Sequence, residues 1–522
     1  MGAGPAAATV EPPPSFPGAG AGTVRALVLA GRLPSARTDT LWQGFLEADG
    51  PGAVRTWFGG TAIAALASRR GEGRAAALRG ALDRDILAID RLIAAQLDAI
   101  LHHPRLQALE ASWRGLRWLV DSTEEGPGDR IVVRLFTASW RELARDMERA
   151  TEFDQSYLFR MIYETEFGMA GGEPFGLMVV DHAVRHRPDR DHPTDDKAVL
   201  EHLAAIGAAA FTPIVVAAAP ELLEVETFAT LAAVAEPAAS LENDEHARWR
   251  TLRDGPDQRF LAVVLPRVLA RPPWPDDGSR GDGFRYGERA PTVAERVWTS
   301  GGYAFASVAA RAASRYGWPA DVRGADTDRV GGGLVTGLPT EPHALSPTLF
   351  LPRLPVEVVF TDQQERALIE AGLMPLGALP YGETLVFGAV RTLYRPPHPA
   401  EMAGRAAFAD SRVATQINAM LCACRFAHYL KIRGRQTIGR LRRAEEIEKE
   451  LRTWLTGFVN RNIMATAETR AGHPLYDAAV RVTELPDKPG SFACAIMLQP
   501  YFQLDNVTAS FSFETQIAPP AS

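Results

Sequence analysis

Leu82, Ile86, Ile89, Ile93, Leu97 and Ile100 recur at spacings of four and three residues, and no other pattern in this chain restricts its fold as strongly. Apolar residues in that rhythm line one narrow stripe of an α-helix. Asp83, Arg84, Asp90, Arg91, Gln96 and Asp98 fill much of the remaining surface. After His103-Pro104 the rhythm resumes at Leu106, Leu109, Trp113, Leu116 and Val120. A seam this narrow suits packing against another helix, within the chain or on a partner, better than it suits a broad core face. It points to contact rather than chemistry.

Downstream the pattern alternates. Ile131–Phe136 reads as a strand, and Ser139 with Glu142 forms a capping box for a helix to Ala150. Gln155–Phe167 reads as a helix, broken by Gly168, Gly171 and Gly172. Strands are expected at Leu177–Asp181, Ile214–Ala218 and Arg259–Leu265, with helices at Asp195–Phe211 and Glu242–Arg253. This alternation predicts an α/β core (mixed with α+β features) whose mostly buried sheet is flanked by helices. Beyond a Pro, Gly and Asp loop at 272–289, Val293–Tyr316 reads as one long helix. An irregular connection from Gly331 to Pro355 leads to a strand at Val356–Phe360, a helix at Asp362–Ala371, and strands near Leu373–Leu376 and Thr384–Gly388. Two long helices, Ser411–Arg433 and Thr437–Ile463, precede strands at Ala479–Glu484, Phe492–Leu498 and Val507–Phe513.

Four regions follow. Residues 1–24 are an Ala, Gly and Pro tail expected to be disordered. Residues 25–121 form a helical region, with short pieces around Val24–Leu29, Thr40–Leu46 and Thr61–Ala67 before the long helix. Residues 122–400 hold the α/β core, and 401–522 the helical pair and closing strands. A sheet at the end of a chain presents an edge, and edges pair with other chains.

Composition removes several classes of function. Fifty-six basic and 63 acidic residues leave a net charge of −7, so no bulk field attracts nucleic acid. Cys422, Cys424 and Cys494 are too few for a disulfide framework and fit a reducing compartment. The N-terminus shows no secretory pattern, and a cytoplasmic location is expected. Leu203–Pro220 is uncharged, but it is alanine-rich and split by Pro213, so it reads as a buried helix and strand without membrane insertion.

Catalytic motifs are scarce. The chain has no phosphate-loop, zincin or nucleophile-elbow signature. Gly331, Gly333 and Gly337 do not complete a dinucleotide fingerprint, because position 336 is Thr. Asp181, His182, His186, Asp189 and His192 crowd the end of a strand in the manner of metal ligands, yet Arg185, Arg187 and Arg190 lie among them and oppose a cation. An α/β enzyme binding a metal or nucleotide there is the alternative reading. Cys424 and His428 share a helix face but supply only two ligands, and buried cysteines are the simpler account. Lys431, Arg433, Arg435, Arg440, Arg442 and Arg443 form the densest basic run. It lacks interleaved aromatics and abuts Glu445, Glu446, Glu448 and Glu450, which suits a protein partner better than phosphate.

Five segments in order carry a resemblance. They are LQALEASWRGLRWLVDST (Leu106–Thr123), FDQSYLFRMIYETEFGMAGGEPFG (Phe153–Gly176), WRTLRDGPDQRFLAVVLPRVLARPP (Trp249–Pro273), CRFAHYLKIRGRQTIG (Cys424–Gly439) and LQPYFQLDNVTASFSF (Leu498–Phe513). Together they resemble the large sheath subunit of bacterial type VI secretion systems, the TssC or VipB family, over roughly residues 80–515. The resemblance implies a structural protein without catalytic, cofactor or metal residues. It implies pairing with a small sheath subunit (TssB or VipA) and self-assembly into a helical tube around an inner tube of Hcp rings on a baseplate. It further implies contraction that propels the inner tube, and disassembly by the AAA+ unfoldase ClpV. Residues 1–80 depart from the family, where the preceding segment carries a helix linked to recycling.

The candidate interface residues divide into three groups. Leu82, Ile86, Ile89, Ile93, Leu97 and Ile100 form the docking seam for the small subunit. Lys431, Arg433, Arg435 and Arg440 form an intersubunit or lumen-facing charge patch. Val507, Phe511 and Phe513 lie on a last strand that would link neighbours by β-augmentation.

Overall fold

The computed structural model describes residues 23–31, 40–67, 72–124, 131–169, 171–279, 281, 283–325, 329–346, 349–379, 384–397, 411–437, 443–462, 464–484, 492–501 and 511–517. Most of the tail expected at 1–24, and with it Arg440 and Val507, lies outside them. The chain divides into two compact units, Met1–Gln107 with Pro273–Arg296, and Ala108–Pro272 with Val297–Ser522.

In the first unit, short helices at Val24–Leu29, Thr40–Glu47, Gly50–Phe58 and Gly60–Ala67 precede the helix Glu72–Leu101. Gly50–Phe58 was not expected, since Gly50, Pro51 and Gly52 read as a break. Pro51 sits in the first turn, where no intrahelical N–H bond is lost. Val24, Val28, Trp57, Phe58, Ala62 and Ala81 make the core of this unit. Beside it lies a buried charge. Asp85 is 2% exposed and accepts two hydrogen bonds from Arg25, both at 2.8 Å, and one from the Trp57 indole at 2.9 Å.

The second unit is built on four parallel strands, Met178–Val184, Ile214–Ala218, Leu261–Leu265 and Met374–Pro375, paired in that order. The two central strands are buried at every position, as an all-parallel sheet covered on both faces requires. Alternate residues enter different cores. Ile214, Val216, Leu261 and Val263 pack on one face with Leu200, Leu203 and Ile206 of helix Asp196–Ala210. Val215, Ala262 and Val264 pack on the other with Ala304, Phe305 and Val308 of helix Gly301–Tyr316. The class is mixed α/β.

Helices Ile417–Thr437 and Ala444–Thr456 follow, then an antiparallel sheet of Leu475–Glu484, Phe492–Pro500 and Phe511–Ile517, the middle strand in sequence lying in the middle. Phe426, Ile447, Leu451 and Leu455 from the helices meet Val480, Val482, Ile496 and Leu498 from the sheet.

Several expected elements differ. Ile131–Phe136 is not in a ladder among the described residues. Val293–Tyr316 is three elements: a turn Val293–Glu295, a strand Val297–Thr299 paired with Val268–Arg271, and the helix from Gly301. Ser300 caps that helix through the Gly302 N–H at 3.0 Å, so the helix cannot begin earlier. Val356–Phe360 contributes only a bridge from Val356 to Val268. Glu242–Arg253 is helical as Ala247–Arg253 alone, after two tight turns. Gln155–Phe167 winds as a short α-helical turn and then as a π-helix, Arg160–Gly168.

Candidate functional site

The seam on Glu72–Leu101 splits between two tasks. Leu82 and Ile89 pack against the first unit's own core. Ile86, Ile93 and Ile100, spaced by seven, remain 55%, 44% and 49% exposed, and Leu97 is half-buried. Residues seven apart on a helix fall on nearly the same line, the spacing of a coiled-coil seam.

A second open surface is the segment 131–137. Val132, Leu135 and Phe136 are 62%, 57% and 43% exposed. Among the described residues no backbone hydrogen bond engages Ile131–Thr137. Its fixed point is Arg134, which pairs with Glu166 and, at 2.9 Å, with Glu173. Strand chemistry is thus present in the side chains while the ladder is missing. That combination offers a row of N–H and C=O groups to another chain.

The C-terminal sheet presents a third. Among the described residues Phe511–Ile517 pairs on one side only, from Phe492↔Ile517 to Leu498↔Phe511. This places the backbones of Phe511 and Phe513 on an outer strand.

The basic run is partly engaged within the chain. The Lys431 ammonium lies 5.3 Å from the centre of the Phe167 ring, and the Arg433 guanidinium 4.7 Å from that of Trp454. Arg435 lies on the helix Ile417–Thr437.

The histidine and aspartate cluster does not converge on one point. His182 stacks on Trp140 with ring centres 4.0 Å apart, and its Nε2 lies 3.5 Å from Asp196. Burial works against ionisation of Asp196, yet the neighbouring His182 ring and hydrogen bonds from the Arg185 N–H and the Trp140 indole hold its carboxyl below the usual range. Asp189 and His192 form an exposed turn, with the His192 N–H donating to Asp189 at 2.7 Å. His186 turns elsewhere, onto His246 at 4.0 Å between ring centres. Sixty residues separate the two in sequence, and no spacing rule joins them. Cys422 and Cys424 are buried free thiols, and burial pushes Cys422 up to about 12. His428 is fully buried and donates from Nε2 to the Ala210 carbonyl at 3.0 Å, and it forms no metal-ligand cluster with Cys424 among the described residues.

Among the described residues no helix is long and apolar enough to cross a membrane. Leu203–Pro220 comprises the end of the helix Asp196–Ala210 and the strand Ile214–Ala218.

Comparison with known proteins adds the remaining observations. Residues 83–394 match the model of the EvpB/VC_A0108 tail sheath N-terminal domain, and residues 406–517 match that of the EvpB/VC_A0108 tail sheath gpW/gp25-like domain. The chain is also similar to the type VI secretion system sheath protein TssC1 of Pseudomonas aeruginosa. The two are 30% identical over 437 residues, covering 83% of this chain and 85% of that protein.

Proposed function

The chain belongs to the VipB tail sheath family, and from that premise we propose that it is the large subunit of a type VI secretion sheath, assembling with a small sheath subunit into a contractile helical tube around the Hcp inner tube. The observation that carries this reading is the continuity of the match, two sheath domains in succession from residue 83 to residue 517. Its role is mechanical, in the cytoplasm, and its site is a set of surfaces rather than a catalytic pocket.

The exposed surfaces fit such a role. The Ile86, Ile93 and Ile100 stripe receives a helix of the small subunit. The unpaired segment Ile131–Thr137 and the outer strand Phe511–Ile517 accept strands from neighbours. The basic run adds a charged contact, with Lys431 and Arg433 anchored on aromatic rings. Heterologous contacts whose rotation does not close propagate as a filament, the arrangement this reading requires. Contraction then requires each contact to have two alternative arrangements, with the energy of the extended sheath stored in the difference between them. A baseplate would start the tube.

The test is co-expression with the small sheath subunit encoded beside it, followed by electron microscopy. Hollow helical tubes that need both chains are expected. Monodisperse monomer under both conditions would overturn the assignment.

A further inference from the structure

Three segments that lie far apart in sequence bring side-chain donors together on one side of the central sheet. His186 follows the strand Met178–Val184 by two residues. Glu224 closes the turn Pro220–Leu223, which follows the strand Ile214–Ala218. His246 ends the turn Asp244–His246 ahead of the helix Ala247–Arg253. The first two positions are just past the carboxyl ends of adjacent parallel strands, where open α/β sheets collect ligands.

The chemistry at this point is unbalanced. His246 is fully buried, and its Nε2 lies 3.0 Å from the Leu222 carbonyl. A carbonyl oxygen only accepts, so Nε2 carries the proton. In the neutral ring Nδ1 then holds a bare lone pair. That atom has no hydrogen-bond partner and sits 3.6 Å from the Glu224 carboxylate. A lone pair facing a carboxylate oxygen is repulsive unless something positive lies between them. His186 is 7% exposed, and neither of its ring nitrogens has a hydrogen-bond partner among the described residues. One donor atom from each of the three residues lies within 4.8 Å of the others. Buried, unpartnered polar atoms are rare in folded proteins and call for a specific explanation.

We propose that His186, Glu224 and His246 bind a divalent transition-metal ion of the zinc class, with a further coordination position open to solvent on the Glu224 side. Two imidazoles and one carboxylate are a donor set that favours zinc and its neighbours over calcium or magnesium. The Leu222 carbonyl fixes the tautomer of His246, as the outer-shell partner of a ligating histidine does. Two of the three arginines that argued against a cation in the sequence have acidic partners of their own. Arg187 pairs with Glu245, and Arg185 with Asp189 at 3.8 Å and Glu221 at 3.4 Å. The ion would tie the ends of two core strands to the turn before Ala247, a structural clip independent of the assembly interfaces.

The probe is zinc itself, titrated into metal-stripped full-length protein held soluble with its small subunit, with bound metal counted by elemental analysis. Cobalt(II) provides a second readout through its visible ligand-field bands. One zinc per chain is expected, with affinity reduced about a hundredfold or more in Glu224→Gln and in His186→Asn. Glu224 is 39% exposed, so Glu224→Gln should keep the fold, which circular dichroism checks. No zinc uptake by the wild type would overturn the site, as would uptake unchanged in Glu224→Gln and His186→Asn. A His246 that is simply protonated against Glu224 gives the first of these results.

Discussion

The split seam makes Ile93 and Ile89, one helical turn apart, opposite tests of the same helix. Ile93 is 44% exposed, while Ile89 packs on the Trp57 and Phe58 core. Burying the open half of an isoleucine against a partner is worth about 1 kcal/mol. Ile86, Ile93 and Ile100 together therefore supply about 3 kcal/mol, roughly a hundredfold in affinity. Ile93→Asp removes one such share and places an unpaired carboxylate in a drying interface, a further penalty on the order of 2–4 kcal/mol. Binding of the small subunit should weaken by roughly a thousandfold. The free chain should lose only a few tenths of a kcal/mol of helix propensity. Ile89→Asp sets the same charge against the unit's own core, where Ile89 is partly buried, and should lower its stability by about 2 kcal/mol. Affinity measured by biolayer interferometry against the tagged small subunit, with urea melts of each variant, separates the two effects. Wild-type affinity for Ile93→Asp would refute the docking stripe.

Other expectations follow from the same structure. Asp85→Ala leaves the Arg25 guanidinium and the Trp57 indole without their shared acceptor and should cost about 3–5 kcal/mol, read by Trp fluorescence in denaturant. Gly115→Ala would put a Cβ 2.2 Å from the Thr299 hydroxyl oxygen and 2.6 Å from the Tyr303 ring, so a loss of about 1–3 kcal/mol is expected despite alanine's better helix propensity, and a raised Tm would contradict it. Burial holds His428 down at about 4 against its ordinary 6.5. The unfolded chain thus binds the extra proton across that interval, and stability present above pH 6.5 is lost on acidification toward pH 4, by up to about 3 kcal/mol. In His428→Gln the slope of stability with pH in this window should flatten, as measured by urea melts at several pH values. Truncation after Pro500 removes the outer strand Phe511–Ile517 and should leave the heterodimer intact while abolishing tubes in micrographs; tubes of normal length would count against strand linkage.

Elements whose signal is local were legible in the chain. Ser139 and Glu142 fix a helix start through their own backbone, and both reciprocal bonds of that capping box are present. Ile214–Ala218 is a strand with the expected bounds, because an apolar β-branched run between proline and turn residues has few other solutions. The same periodicity misled where a short strand abuts a helix. Val297–Thr299 carries a helical rhythm into Gly301–Tyr316, and only pairing with Val268–Arg271 makes it a strand.

The sequence by itself determined the mixed α/β class, the long helix and the sheath kinship. Each is written in periodicity or in runs of consecutive residues, which survive without knowledge of neighbours. Tertiary structure alone decided what each apolar side chain faces. It turned Ile89 inward and left Ile93 outward, it gave Ile131–Phe136 no ladder among the described residues, and it carried His246 across sixty residues to His186. Burial and encounter are properties of packed surfaces in three dimensions, and a one-dimensional pattern specifies which residues can be buried but not which of them find company.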